Sequence, residues 1–197
     1  MHAKLRIRAL SSGRLTPFSY VVLVLIGEGG AGPHDLVSMM RRGSIYWAAA
    51  ESQWYGEPKR LERLGYLRSE KRPGKTGPRT HYLLTEKGRT ALRAWLAEPS
   101  GLPRFQNEAI VRLLAGDIGD EEQLRESLAG MRADIAAARA NLDLAEEVMA
   151  TIPHRERYLR LIHRYGRELL DMHERWLAEA DRELRKPPTR AARRSRA

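Results

Sequence analysis

The chain contains no cysteine, which removes a disulfide framework and any thiolate metal site. It also lacks a long apolar run. The longest, Val21 to Ile26, falls far short of the roughly 20 residues that a membrane span needs. The start Met-His-Ala-Lys-Leu-Arg has none of the apolar stretch of a signal peptide, so a cytoplasmic protein without membrane contact is the expectation. No set of nucleophile, base and orienting acid stands out, which leaves catalysis without support. His154, His163 and His173 are nine and ten residues apart, whereas two ligands on one helix face need a spacing of three or four. Neither a metal nor any other cofactor is expected.

What the chain does have is charge, unevenly placed. The formal net charge of its 197 residues is +10. Residues 1–14 hold four bases and no acid, and residues 185–197 hold six bases and no acid. Residues 15–93 carry thirteen bases against seven acids, while residues 94–184 carry twelve against eighteen. A basic half suits phosphate and an acidic half repels it, so the two halves are expected to divide their labour. The apolar content, 42%, suffices for a core in each of two small domains. The expected organisation is a basic arm at 1–14, a first domain at 15–98, a helical domain at 104–184 and a basic tail at 185–197.

In the first domain Thr16-Pro17 offers an N-cap with proline at the first helical position, and a helix is expected from Pro17 to about Gly27. Pro33 opens a second helix that stops near Gly43. A third is expected over roughly Tyr46 to Leu64, with Trp54, Leu61 and Leu64 on its apolar side and Pro58 kinking it or marking its effective start. Two strands, Tyr66 to Lys71 and Arg79 to Leu84, flank a Pro-Gly-Lys-Thr-Gly-Pro tip, and Glu86 to Glu98 forms a helix before the boundary Pro99-Ser100-Gly101-Leu102-Pro103. In the second domain, after a short helix at about Phe105 to Ala115, two stripes alternate by four and three. The first is Leu124, Leu128, Met131, Ile135, Ala138, Leu142, Ala145 and Met149; the second is Tyr158, Ile162, Tyr165, Leu169, Met172 and Trp176. Two long antiparallel helices with more apolar surface than one hairpin needs imply a partner, most simply a second copy. Leu128, Ile135, Leu142, Ile162, Leu169 and Trp176 are the expected dimer residues.

A helix followed by a basic two-stranded ribbon is what a winged helix-turn-helix presents to duplex DNA. The fold class expected is mainly α with a small β-hairpin wing: an N-terminal winged helix-turn-helix and a C-terminal antiparallel, coiled-coil-like dimerisation domain. Thr16-Pro17-Phe18-Ser19-Tyr20, Asp35-Leu36, Ser52-Gln53-Trp54-Tyr55, Lys59-Arg60-Leu61, Gly77-Pro78-Arg79-Thr80-His81-Tyr82, Leu84-Thr85-Glu86-Lys87-Gly88, Asn107-Glu108 and Arg112-Leu113 together resemble the PadR family of winged-helix transcriptional regulators, in its longer form with a helical C-terminal domain. The resemblance covers about residues 15–184. It implies a homodimeric repressor on a palindromic operator in double-stranded DNA, often released by a small aromatic or hydrophobic effector. Many relatives have Tyr-Pro-Glu-Leu where this chain has Tyr55-Gly56-Glu57-Pro58, and His34 stands where a tyrosine is common.

The expected DNA-contacting residues are Ser19, Tyr20, His34, Ser52, Gln53, Tyr55, Lys59, Arg60, Lys71, Arg72, Lys75, Thr76, Arg79 and His81. Of these, Ser52 and Gln53 suit base edges, and Lys71, Arg72, Lys75 and Arg79 suit the backbone, which positions without specifying. Trp95, Tyr158, His163, Tyr165, Met172 and Trp176 either line an effector pocket or are plain core. One alternative is of a different class. Gly27-Glu28-Gly29-Gly30-Ala31-Gly32 spells a dinucleotide fingerprint after an apolar run, which would make the chain an NAD-binding oxidoreductase if it sat in a βαβ unit with later parallel strands.

Overall fold

A computed structural model of the chain describes residues 14–74, 77–103 and 105–186. Within these the chain forms two compact units. One takes everything up to Arg41 together with Ala48–Gly101, and the other takes Arg42–Trp47 and everything from Leu102 on.

The first unit begins with α1 (Pro17–Ile26). The Thr16 hydroxyl accepts from the Ser19 backbone N–H at 3.2 Å, and the Ser19 hydroxyl accepts from the Thr16 N–H at 2.9 Å, so two otherwise orphaned donors of the helix start are satisfied. After α2 (Pro33–Arg42) comes α3 (Glu51–Arg63). The helix expected from Tyr46 thus starts five residues later, because Ile45 and Tyr46 are engaged in the second unit's core, where Tyr46 donates a hydrogen bond to the Ile162 carbonyl at 2.9 Å. Pro58 does not mark the helix start either. It lies inside α3 with its ring fully buried beside Trp54 and Leu61, and this packing offsets the hydrogen bond proline cannot donate.

The wing is an antiparallel hairpin of β1 (Leu67–Arg72) and β2 (Arg79–Leu84), in register from Leu67 opposite Leu84 to Arg72 opposite Arg79. Ala31 forms an isolated bridge to β2 through reciprocal bonds of 3.0 and 2.9 Å with Tyr82. Gly30, at φ 75°, permits this, since a Cβ there would lie 2.6 Å from the Tyr82 carbonyl oxygen. α4 (Glu86–Leu96) closes the unit, capped by Thr85. Val22, Leu23, Leu36, Trp54, Leu61, Leu67 and Tyr82 fill the core. This geometry accounts for the glycine run at 27–32. It brings a short extended segment against an antiparallel hairpin, and the described residues contain no parallel sheet on which a dinucleotide site could be built.

The second unit holds α5 (Glu108–Leu114), α6 (Glu121–Ala129), α7 (Met131–Met149) and, after one 3-10 turn at Pro153–Arg155, α8 (Glu156–Leu184). Ion pairs across α7 and α8 join Arg167 to Asp143 and Glu146 at 2.7 and 2.8 Å, and Arg139 to Asp171 and Glu174 at 2.6 and 2.8 Å. One residue number falls as its partner's rises, which is the signature of antiparallel helices. Leu128, Ile135 and Leu142 fill this unit's own core together with Leu170, Leu177 and Ala180. These three expected dimer residues are buried within the single chain.

The stripe of α8 that includes the expected dimer residue Ile162 lies on the outward side of this helix. Tyr158 is 62% exposed, Ile162 44%, Tyr165 49% and Met172 43%, while the buried side runs through His163, Gly166, Leu170, Leu177 and Ala180. Gly166 explains the phase. A Cβ there would collide with the Tyr46 hydroxyl and lie 3.2 Å from Leu142 Cδ1, so only glycine lets this face close on its neighbours.

His163 is the polar exception in this core, and its Nδ1 has no hydrogen-bond partner among the described residues. Burial pushes its pKa below the ordinary 6.5, opposed by the nearby Glu146 carboxylate and reinforced by Arg167. Glu146 is itself held low by Arg167 and stays ionised through the same range. A histidine with a depressed folded pKa takes up its proton more readily when unfolded. Its neutral form therefore supports the fold above about pH 6.5, and that support is lost as the pH falls toward the folded value. Denaturant unfolding at about pH 7.5 and 5.5 is expected to show a loss of stability on acidification that His163→Leu reduces; an equal loss in the variant would place the effect elsewhere.

Candidate nucleic-acid interface

The outward side of α3 follows from its burial pattern. Trp54, Pro58 and Leu61 face the core, which turns Ser52, Gly56, Lys59 and Arg63 to the opposite side at spacings of four, three and four. All four are exposed. Gly56 leaves the middle of this stripe without a side chain, and a Cβ added there would meet nothing within 4 Å. Gln53 is exposed in the first turn, and its carbonyl oxygen accepts from the Ala50 N–H at 3.2 Å. This contact caps the free helix end and is weak enough to exchange for a ligand group. Arg63 is absent from the residues expected from the sequence, although its place four residues after Lys59 was the available signal.

Tyr55 is partly exposed, and its hydroxyl lies 3.2 Å from Nδ1 of His34 at the start of α2, with the two rings edge to face. The pair is fixed by two elements at once. On the wing, Lys71 donates to the Thr80 hydroxyl at 3.0 Å, Arg72 binds Glu70 at 2.7 Å, and Arg79 is exposed. The hydrogen bond from Arg72 is the main reason Glu70 is held below the usual carboxylate range. Lys75 and Thr76 lie outside the described residues.

Ser19, Tyr20, Arg60 and His81, also expected contact residues, are engaged with other parts of the first unit. Ser19 is fully buried, and its hydroxyl donates to Glu57 Oε1 at 2.6 Å. Arg60 reaches the Glu57 carboxylate with Nε at 2.9 Å and Nη2 at 2.8 Å, and Nη2 also reaches Ser19 Oγ at 2.9 Å. Tyr20 stacks on Trp95 with ring centroids 4.9 Å apart, and burial raises its pKa first of all causes. His81 is buried with its Nε2 3.2 Å from the Gly29 carbonyl. Ser19 and His81 are buried, whereas Tyr20 and Arg60 are partly exposed. Trp95 belongs to this first unit, whereas Tyr158, His163, Tyr165, Met172 and Trp176 belong to the second.

Solved structures of similar fold supply the comparison. Bacillus subtilis PadR in complex with operator DNA matches with a TM-score of 0.64 over 84% of this chain and 100% of that one, at 20% identity. The fold is that of the PadR-type winged-helix regulators. The Vibrio cholerae virulence activator AphA shares this PadR-type fold at a TM-score of 0.64 and 22% identity, covering 84% of this chain and 96% of its own. The protein smu.1604c from Streptococcus mutans UA159 does so at 0.71 and 15%, covering 85% and 98%. The Bacillus protein is also solved in complex with p-coumaric acid, which matches at 0.57 and 21% identity over 83% of this chain and 98% of that one. Residues 105–185, which hold the helices that accompany the PadR-type winged unit, match the sequence family described as Virulence activator alpha C-term. Comparison with curated protein sequences gave no match. Among the described residues no helix is long and apolar enough to cross a membrane.

Removing Arg60 leaves the Glu57 carboxylate, mostly buried, without its cation. Arg60→Ala is expected to cost about 1–3 kcal/mol in unfolding free energy, while the slope of DNA affinity against salt stays unchanged. A slope lower by about one would instead place Arg60 on a phosphate.

Proposed function

We propose that the protein is a transcriptional regulator of the PadR family that binds an operator in double-stranded DNA as a homodimer and acts as a repressor in the cytoplasm. One observation carries the reading: α3 buries Trp54, Pro58 and Leu61 and turns Ser52, Gly56, Lys59 and Arg63 outward, in a unit that also carries a basic hairpin. In this reading α3 enters the major groove. Ser52 and Gln53 face base edges, the glycine at 56 permits close approach, and His34, Tyr55 and Lys59 meet phosphate or sugar. Lys71, Arg72, Lys75, Thr76 and Arg79 on the wing meet the flanking backbone. The Bacillus PadR complex with operator DNA supports this by its shared fold.

The homodimer is supported by the outward stripe of α8. Tyr158, Leu161, Ile162, Tyr165 and Met172 are large apolar side chains with 43–62% of their surface exposed, more than a solitary helical hairpin leaves in water. Leu169 and Trp176 continue the same side and are partly buried. A two-fold dimer on a palindromic operator needs half-sites about one helical turn of DNA, roughly 10 bp, or a multiple of it apart. Release of the operator by a small aromatic or hydrophobic molecule completes the proposal, supported by the p-coumaric acid complex of the Bacillus protein.

In fluorescence anisotropy, affinity for the operator is expected to fall linearly with salt on logarithmic axes, with a slope of about 0.9 per phosphate neutralised. Arg79→Ala should weaken operator and random duplex equally. Gln53→Ala should narrow the gap between them by about 1–3 kcal/mol. Equal losses on both duplexes for Gln53→Ala would remove its base-reading role, and affinity independent of salt would remove the regulator reading.

A further inference from the structure

The second unit contains an open cleft of about 460 Å³, walled by α5, the segment before it, the α6–α7 junction and α8. That volume lies within the usual range for small-molecule sites. Its apolar lining comes from Phe105, Leu128 and Met131. Its charge is one-sided once internal pairs are set aside. Arg112 is the cleft's guanidinium, and it is already committed to Glu108, at 2.6 Å, and to the Ser127 hydroxyl, at 2.6 Å. Asp134 is exposed and has no hydrogen bond or ion pair among the described residues. His173 donates from Nδ1 to the Leu169 carbonyl at 2.8 Å, which directs Nε2, the nitrogen able to accept a hydrogen bond from a ligand, away from that bond.

A cleft with an unpaired carboxylate, an imidazole nitrogen and an aromatic wall, whose guanidinium among the described residues is already paired, selects positive charge. We propose that this cleft is a binding site for hydrophobic organic cations: an ammonium group against Asp134 and His173, carried on an aromatic or alkyl body that lies along Phe105, Leu128 and Met131. Phe105 adds attraction for a cation over its ring face. A ligand whose polar end is a carboxylate, as in p-coumaric acid, would meet Asp134 as a like charge, so the site is distinct in chemistry from what the name of the Bacillus complex describes. The proposal does not depend on the DNA-binding reading, because nothing in it uses the first unit. Its structural effect would be to fasten α5, which buries no residue of its own, to α7 and α8.

Calorimetry on the full chain tests it with three probes of similar shape: 2-phenylethylammonium, 2-phenylethanol and 3-phenylpropionate. The ammonium is expected to bind with one site per chain and at least about tenfold more tightly than the other two, which corresponds to about 1.4 kcal/mol. Asp134→Asn, a surface change that leaves the core untouched, should bring the ammonium to the level of the alcohol. Asp117→Asn, outside the cleft, should change nothing. Equal affinity for all three probes, preference for the propionate, a preference that survives in Asp134→Asn, or no binding heat at millimolar ligand would each overturn the proposal.

Discussion

The structure depends on how α3 is held while one of its sides stays in water. Trp54, Pro58 and Leu61 anchor it in the core, and Phe18 meets Trp54 edge to face at 4.8 Å. The polar cluster of Ser19, Glu57 and Arg60 then ties α3 to the first turn of α1. Apolar burial sets depth without direction; the bidentate Arg60–Glu57 pair and its shared serine add direction. Buried charges without partners are costly, so the three residues are a unit from which no single member can be removed cheaply. What this holds in place is the stripe of Ser52, Gly56, Lys59 and Arg63.

The second unit solves a different problem with the same means. α8 is apolar on two sides displaced by one residue. The side through His163, Gly166, Leu170 and Leu177 closes on α6, α7 and the Ile45–Tyr46 segment. The side through Tyr158, Ile162, Tyr165 and Met172 stays open. The arginine pairs at Arg139 and Arg167 flank the closed side and fix the register of α7 against α8.

Much of this was legible in the amino acids. Thr16-Pro17 and Thr85 specify helix starts through local hydrogen bonds, and both starts lie where the caps demand. The hairpin follows from two strands around a glycine-proline tip, with β1 shifted by one residue at both ends. The start of α3 was not legible. Its helical periodicity continues back through Ile45 and Tyr46, and only a contact with a helix more than a hundred residues later in the chain withdraws them. Which side of α8 closes on its own unit was not legible for a related reason. Periodicity rewards large apolar residues, whereas the side that closes uses glycine, alanine and a histidine chosen for fit. The partners of Ser19, Arg60 and His81 within the chain were not legible either, because each lies far away in sequence and is met only in the tertiary structure.

The most direct measurement is selection of duplexes bound by the purified protein from a random pool, followed by sequencing. The account predicts one enriched palindrome whose half-sites lie about one helical turn, roughly 10 bp, or a multiple of it apart. Bound pools without any enriched sequence, or a single half-site without symmetry, would contradict it.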